Sequence, residues 1–340
     1  MAKIVIRIAG TLASVPLLLL AVACGSGSQQ AADRSDQGDG QQPRTTLQVV
    51  TTVLPVNLFT QAVAGDCATV IPLLPAGADT HAFQARPQDV ATLGKAQVLV
   101  INGLGLEAFI EPLLKSADNR DLITIDSSQG ITPLKLEDHP SADHGHDHGH
   151  GHSHSHSHSH GHSEAEGAVD PHIWLDPQLA AQQVKTIRDG LIQADPGCAD
   201  GYRERAQSYL SQLKQLDDDL ANQLAPFRGR TVVSYHEALG YFVRRYDLKA
   251  EALVTLPSDQ PTPADVQRVS AALKQANVNG VLTEPGGGSS ALQALANDLD
   301  LSLSVFDPME LVPAEQQRIP SLYINVMQSN GAAVTSTLQP

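Results

Sequence analysis

Positive charge is the first thing this 340-residue chain is short of. It carries 22 Lys and Arg against 37 Asp and Glu, a formal net charge of −15. That balance argues against nucleic acid or an anionic membrane surface as partner and suits a cationic one. Aromatic residues are scarce, at 4%, with a single Trp, so the core must come from the aliphatic part of a 41% apolar fraction. Long apolar runs are missing too: after Ala23 no stretch is long enough to form a transmembrane helix. Cysteine occurs only three times. Histidine is unevenly supplied: of 14, only His81, His172 and His236 lie outside one tract.

The N-terminus reads as a targeting segment. Lys3 and Arg7 precede an apolar run, Thr11–Ala23, that is too short to span a bilayer comfortably. Ala21-Val22-Ala23-Cys24 follows and resembles a bacterial lipoprotein signal, which implies that Cys24 becomes the lipid anchor. The expected location is the outer face of the cell membrane or the periplasm. In that oxidising compartment the two remaining cysteines, Cys67 and Cys198, suggest a disulfide. Residues 24–45, rich in Gly, Ser, Gln and Asp, read as a flexible tether.

From Thr46 the chain alternates between short apolar runs and helical stretches. Strands are expected at 46–53, 68–74, 97–102 and 121–126, with helices from Asn57, Pro87 and Leu106 between them. The alternation restarts with strands at 231–235, 250–255, 280–284 and 301–306 and helices from Glu237, Pro263 and Ser290. Such spacing is the signature of parallel βαβ units. Two helices are expected between the halves, and the second carries Leu210, Leu213, Leu216, Leu220 and Leu224 as one stripe. The expected organisation is a signal at 1–23, a lobe at 46–199, a linking helix at 200–226 and a lobe at 227–340. Ligand sites in such α/β sheets lie outside the carboxyl ends of the strands.

A His-rich insertion, 138–163, interrupts the first lobe. His139 opens it, and His144, His146, His148, His150, His152, His154, His156, His158, His160 and His162 occupy every second position. A tract of this composition reads as disordered and metal-binding, which suggests auxiliary, exchangeable sites. His81 follows the second strand closely, His236 and Asp307 follow strands directly, and His172 opens the helix after the insertion. Taken singly each is as readily a hydrogen-bonded loop residue, and their separation is unlike a zinc finger.

Four segments resemble the metal-binding solute-binding proteins of bacterial ABC importers for zinc or manganese. They are Ala78-Asp79-Thr80-His81-Ala82-Phe83, Asp170-Pro171-His172-Ile173-Trp174-Leu175-Asp176-Pro177, Ser234-Tyr235-His236-Glu237-Ala238-Leu239-Gly240-Tyr241-Phe242 and Phe306-Asp307-Pro308. The resemblance implies two (βα)4 lobes joined by one long rigid helix, with the metal in the interlobe cleft. It implies His81, His172, His236 and Asp307 as ligands of a transported Zn²⁺ ion. It further implies a membrane permease as partner and no enzymatic activity. Met309-Glu310 replaces the usual small residues after Asp307, which leaves Glu284 or water as possible substitutes for that ligand. Three imidazoles and one carboxylate suit zinc.

Manganese or iron is the alternative cargo within the same class. A zinc store or adhesin, with the tract itself as the function, is another class. An exported zinc hydrolase would need an open coordination position and a general base, for which Glu237 is the convenient candidate. Gly103-x-Gly105-x-x-Ala108 after a strand, with Asp126 further on, outlines a dinucleotide fingerprint, although it sits on the third strand rather than the first. The expected oligomeric state is a monomer.

Overall fold

The computed structural model describes residues 46–75, 78, 80, 83–135, 169–254, 261–276, 278–286, 290–311 and 318–339. The signal segment, Cys24, the tether, His81 and the His-rich insertion lie outside the described residues. No helix among the described residues is long and apolar enough to cross a membrane.

Two four-stranded sheets carry the fold. The first contains β1 (Leu47–Thr51), β2 (Ala68–Pro72), β3 (Val98–Ile101) and β4 (Ile123–Asp126). The second contains β5 (Thr231–His236), β6 (Lys249–Val254), β7 (Gly280–Thr283) and β8 (Ser302–Val305). The orders are β2-β1-β3-β4 and β6-β5-β7-β8, the same path traced twice. All pairings are parallel, with Val49 beside Val70 and Val98 in the first sheet and Ser234 beside Ala252 and Leu282 in the second. Central strands of such sheets are covered on both faces, so they read as unbroken apolar runs. Val49, Val50, Val98, Leu99, Val100, Val233, Val281 and Leu282 are accordingly all fully buried.

The helices are α1 (Leu54–Ala64), α2 (Pro87–Leu93), α3 (Ile110–Ala117), α4 (Pro177–Ala194), α5 (Ala199–Leu224), α6 (Gly240–Arg245), α7 (Pro263–Ala276), α8 (Ser290–Asp298) and α9 (Leu322–Leu338). Proline lies in the first turn of α1, α2 and α4, where its missing N–H costs nothing. Of the expected stripe on α5, Leu213, Leu216, Leu220 and Leu224 are buried and Leu210 is partly so. That face packs on α1, α4 and α9. The solvent face carries the pairs Lys214–Asp218 and Gln215–Asp219 at helical spacing.

Three helix starts differ from the sequence pattern. α1 begins at Leu54, three residues before the expected start, with Pro55 in its first turn. α3 begins at Ile110 rather than Leu106, because Gly103, Leu104 and Gly105 all take positive φ. α6 begins at Gly240 rather than Glu237, because the Ala238 N–H closes a tight turn onto the His236 carbonyl at 3.0 Å. The helix expected from 173 splits into a short 3-10 turn, Ile173–Leu175, and α4. Helix α9 has no counterpart among the expected elements. Its apolar face is interrupted by buried Asn330, Gly331 and Thr337, and a Cβ at Gly331 would stand 2.4 Å from the Leu220 side chain.

The insertion is closed at its base by an antiparallel bridge between Lys135 and Val169. The disulfide Cys67–Cys198 joins the end of α1 to the α4–α5 turn, across 131 residues of sequence. Closing so long a loop restricts the unfolded chain, so replacing both cysteines by serine should lower stability by about 2–4 kcal/mol in denaturant unfolding. An unchanged midpoint under oxidising conditions would contradict this.

Candidate metal centre

Three buried side chains meet where strand ends of the second sheet approach the segment leading into α4. Ligand atoms of His172, His236 and Glu310 lie within 4.8 Å of one another. His236 is the last residue of β5, Glu310 follows β8, and His172 precedes the 3-10 turn. The two imidazole rings are 5.5 Å apart and nearly perpendicular.

Both nitrogens of the His172 ring face a carboxylate. Nδ1 is 2.7 Å from Asp170 Oδ1, which also accepts the His172 backbone N–H at 2.9 Å. Nε2 is 2.8 Å from Glu310 Oε1. Burial works against charging this ring, but the Glu310 carboxylate, aided by the hydrogen bonds to Asp170 and Glu310, outweighs it. The imidazolium is pushed up from 6.5 to about 10. His236 Nδ1 stands 3.5 Å from Glu284 Oε1 and 3.6 Å from Glu310 Oε2. One glutamate thus spans both imidazoles.

The surrounding chain is pinned from several elements. Asn102, immediately after β3, donates to the Pro171 carbonyl at 3.0 Å. Trp174 Nε1 donates to the Pro308 carbonyl at 2.9 Å, and Tyr323 on α9 donates to the Trp174 carbonyl at 2.6 Å. Buried Thr80 donates its hydroxyl to the Glu310 carbonyl at 3.1 Å. Thr80 is the residue before His81, which itself lies outside the described residues.

Asp307 is used differently from Glu310. Its Oδ1 accepts the Met309 N–H at 2.7 Å, while Asn330 brackets its backbone with two 2.8 Å hydrogen bonds. Burial, then the charges of Glu284 and Glu310, hold its carboxyl above the usual range. Met309 takes a left-handed φ of 62°. The chain turns there, and Glu310 rather than Asp307 falls within the cluster. The signal for Glu310 lay in the sequence, as the acid standing where the resembling family has a small residue.

The rival chemistries find less support here. At the Gly103 turn, the Asn102 and Gly103 N–H groups donate to buried Glu107 at 2.6 and 3.1 Å. The chain's own carboxylate therefore occupies donors that a pyrophosphate would need. Glu237 lines a cavity of about 400 Å³ with Lys135 and Arg244 and is not a member of the His172–His236–Glu310 cluster.

Two matching parallel sheets, a long central helix and imidazoles gathered at strand ends define an α/β solute-binding protein. Residues 49–337 match the family model described as zinc-uptake complex component A, periplasmic, and the chain belongs to that family. The high-affinity zinc uptake system protein ZnuA of Bacillus subtilis is 29% identical over 321 residues, covering 94% of each chain. The zinc-binding lipoprotein AdcA of Streptococcus pneumoniae is 28% identical over 308 residues, and the match covers 90% of this chain but only 58% of that one. The crystal structure of its Zn(II)-bound ZnuA-like domain superposes with a TM-score of 0.69 at 26% identity, covering 87% of this chain and all of that domain.

The charged His172 sets a pH dependence for the metal-free protein. A ring whose folded pKa is raised above its unfolded value stabilises the fold fully at low pH and ceases to do so as pH rises through the folded value. Stability of chelator-treated protein should therefore fall between pH 6.5 and about 10, measured by urea unfolding. His172→Gln should flatten that slope, and a profile that rises over the same window would refute the assignment.

Proposed function

We propose that this protein captures Zn²⁺ outside the cytoplasm and delivers it to the permease of an ABC importer. The observation that carries the reading is the buried pair His172 and His236 with Glu310 between them. On this reading His81 supplies the third imidazole. The hydrogen bond from neighbouring Thr80 to the Glu310 segment supports that role. The carboxylate ligand is Glu310 or Asp307. The geometry favours Glu310, because Asp307 already accepts a backbone N–H.

Three imidazoles and a carboxylate fill four positions, which suits a closed zinc site. Oxygen-preferring Ca²⁺ and Mg²⁺ are disfavoured, and manganese binds such donors more weakly than zinc. Binding requires neutral imidazole, so Zn²⁺ must displace the proton held between His172 and Glu310. Acid should release the metal. The chemistry is ligand exchange, with no bond of a substrate made or broken.

We further propose that Cys24 anchors the protein through lipid to the membrane, with residues 24–45 as tether, and that it acts as a monomer. The histidines between His144 and His162 would serve as weaker, exchangeable zinc sites. The cleft site does not depend on them.

Competition titration against a zinc chelator tests the reading. His172→Ala should weaken the tight site by more than about a hundredfold, beyond the usual effect of losing an outer-shell partner. Glu310→Gln should weaken it more than Asp307→Asn. Deleting residues 138–163 should remove weak binding and leave the tight site intact. Full affinity in a His172→Ala protein lacking the tract would rule the site out.

A further inference from the structure

The two described histidines come from separate parts of the chain, yet a metal bound at about 2.0–2.2 Å from each donor needs their spacing fixed. The geometry points to α6 as the element that fixes it, and we propose Gly240, Tyr241 and Arg245 as positioning residues for the metal site. This inference rests on the zinc-binding role proposed above.

Helix α6 begins four residues after His236 and is continuous with it in the chain. The start of α6 bonds one end of the segment that carries His172, and its far end sets a cation beside the other. At its start, a Cβ on Gly240 would stand 2.6 Å from Asp170 Oδ2. Only glycine leaves room for the carboxylate whose other oxygen holds His172 Nδ1. The next residue, Tyr241, is fully buried and donates its hydroxyl proton to the Asp170 carbonyl at 2.7 Å. The Tyr241 phenol oxygen in turn accepts the Leu134 N–H at 2.9 Å, and the Asp170 N–H returns to the Leu134 carbonyl at 2.9 Å. One phenol therefore ties both strands at the base of the insertion to the acid that orients His172.

At the far end, Arg245 forks onto Asp217 of α5 with contacts of 2.8 and 2.5 Å. Its Nε also lies 3.9 Å from Asp176 Oδ1. Asp176 closes the His172 segment and caps α4 by accepting the Gln178 N–H at 2.8 Å. Gln178 Nε2 and the Tyr246 hydroxyl complete the donors around Asp217. The six residues of α6 thus work as a jig: one end sets Asp170, the other is bolted to Asp217 of the linking helix with its charge beside Asp176, and His172 is held between them at a fixed distance from His236. An outer shell of this kind orients a ligand through the group it bonds.

The experiment compares Tyr241→Phe, Gly240→Ala and Arg245→Gln with a control, Arg205→Gln. Arg205 donates to the Val63 and Ala64 carbonyls at the end of α1, away from the cluster. Zinc affinity is read by chelator competition, ligand geometry by the visible absorption of bound Co²⁺, and folding by thermal melting. Each α6 variant should lose about tenfold or more in zinc affinity and shift the Co²⁺ bands. Arg205→Gln should lower the melting temperature and change neither readout. Tyr241→Phe keeps the ring and removes both hydrogen bonds, so it decides the matter if Gly240→Ala does not fold. The inference is overturned if a folded Tyr241→Phe protein binds zinc like the parent with the same spectrum. It is equally overturned if Arg205→Gln weakens zinc as much, since the effect would then follow stability alone. A parent protein whose tight zinc site survives His172→Ala would instead remove the underlying reading.

Discussion

The structure depends on one buried ring held between two acids. His172 has no exposure to solvent, and Asp170 and Glu310 each face one of its nitrogens. A buried charge is tolerable only when paired and hydrogen-bonded, and removing one partner of such a set costs about 3–5 kcal/mol. The two acids differ in kind. Asp170 is two residues away and comes with the local turn. Glu310 is 138 residues away, so this contact forms only when the second sheet is in place. The first acid aims the ring; the second occupies the donor atom that a metal would take. Each contact that fixes this neighbourhood, from Asn102, Trp174, Tyr323 or Thr80, bridges elements distant in sequence.

That division explains what was legible in advance. The central strands were readable because parallel strands buried on both faces leave nearly unbroken apolar runs, as in β3 and β7, and the outer strands followed from the repeated spacing between helices. His172 and His236 stood out as isolated imidazoles beside strand ends and a helix start. Glu310 did not, because strand-end logic selects the first acid after β8, which is Asp307. The positive φ at Met309 brings Glu310 beside the two imidazoles, and methionine carries no sign of it. Helix α9 was hidden for a related reason. Its buried Asn330 and Gly331 are there to grip Asp307 and to let α5 approach closely, so tertiary contact overrode local pattern. The Gly103–Gly105 turn is phosphate-like only in outline: its N–H donors are satisfied internally by Glu107.

Selectivity and release draw on the same chemistry. Imidazole donors favour zinc over harder cations, and they also make capture sensitive to protons. Under the proposed function, the proton held between His172 and Glu310 pairs ring and acid until metal takes its place.

The two sheets follow the same strand order, and that repetition has a consequence for the site. A half-fold used twice offers two independent sets of strand termini at one junction. The acid that completes the cluster belongs to the β8 turn, while the opposing half supplies His172 ahead of α4 and steadies the neighbourhood through Thr80 and Asn102. Substitution in one copy can retune the donor set while its twin preserves the scaffold. Such a repeat would let the donor set change one loop at a time.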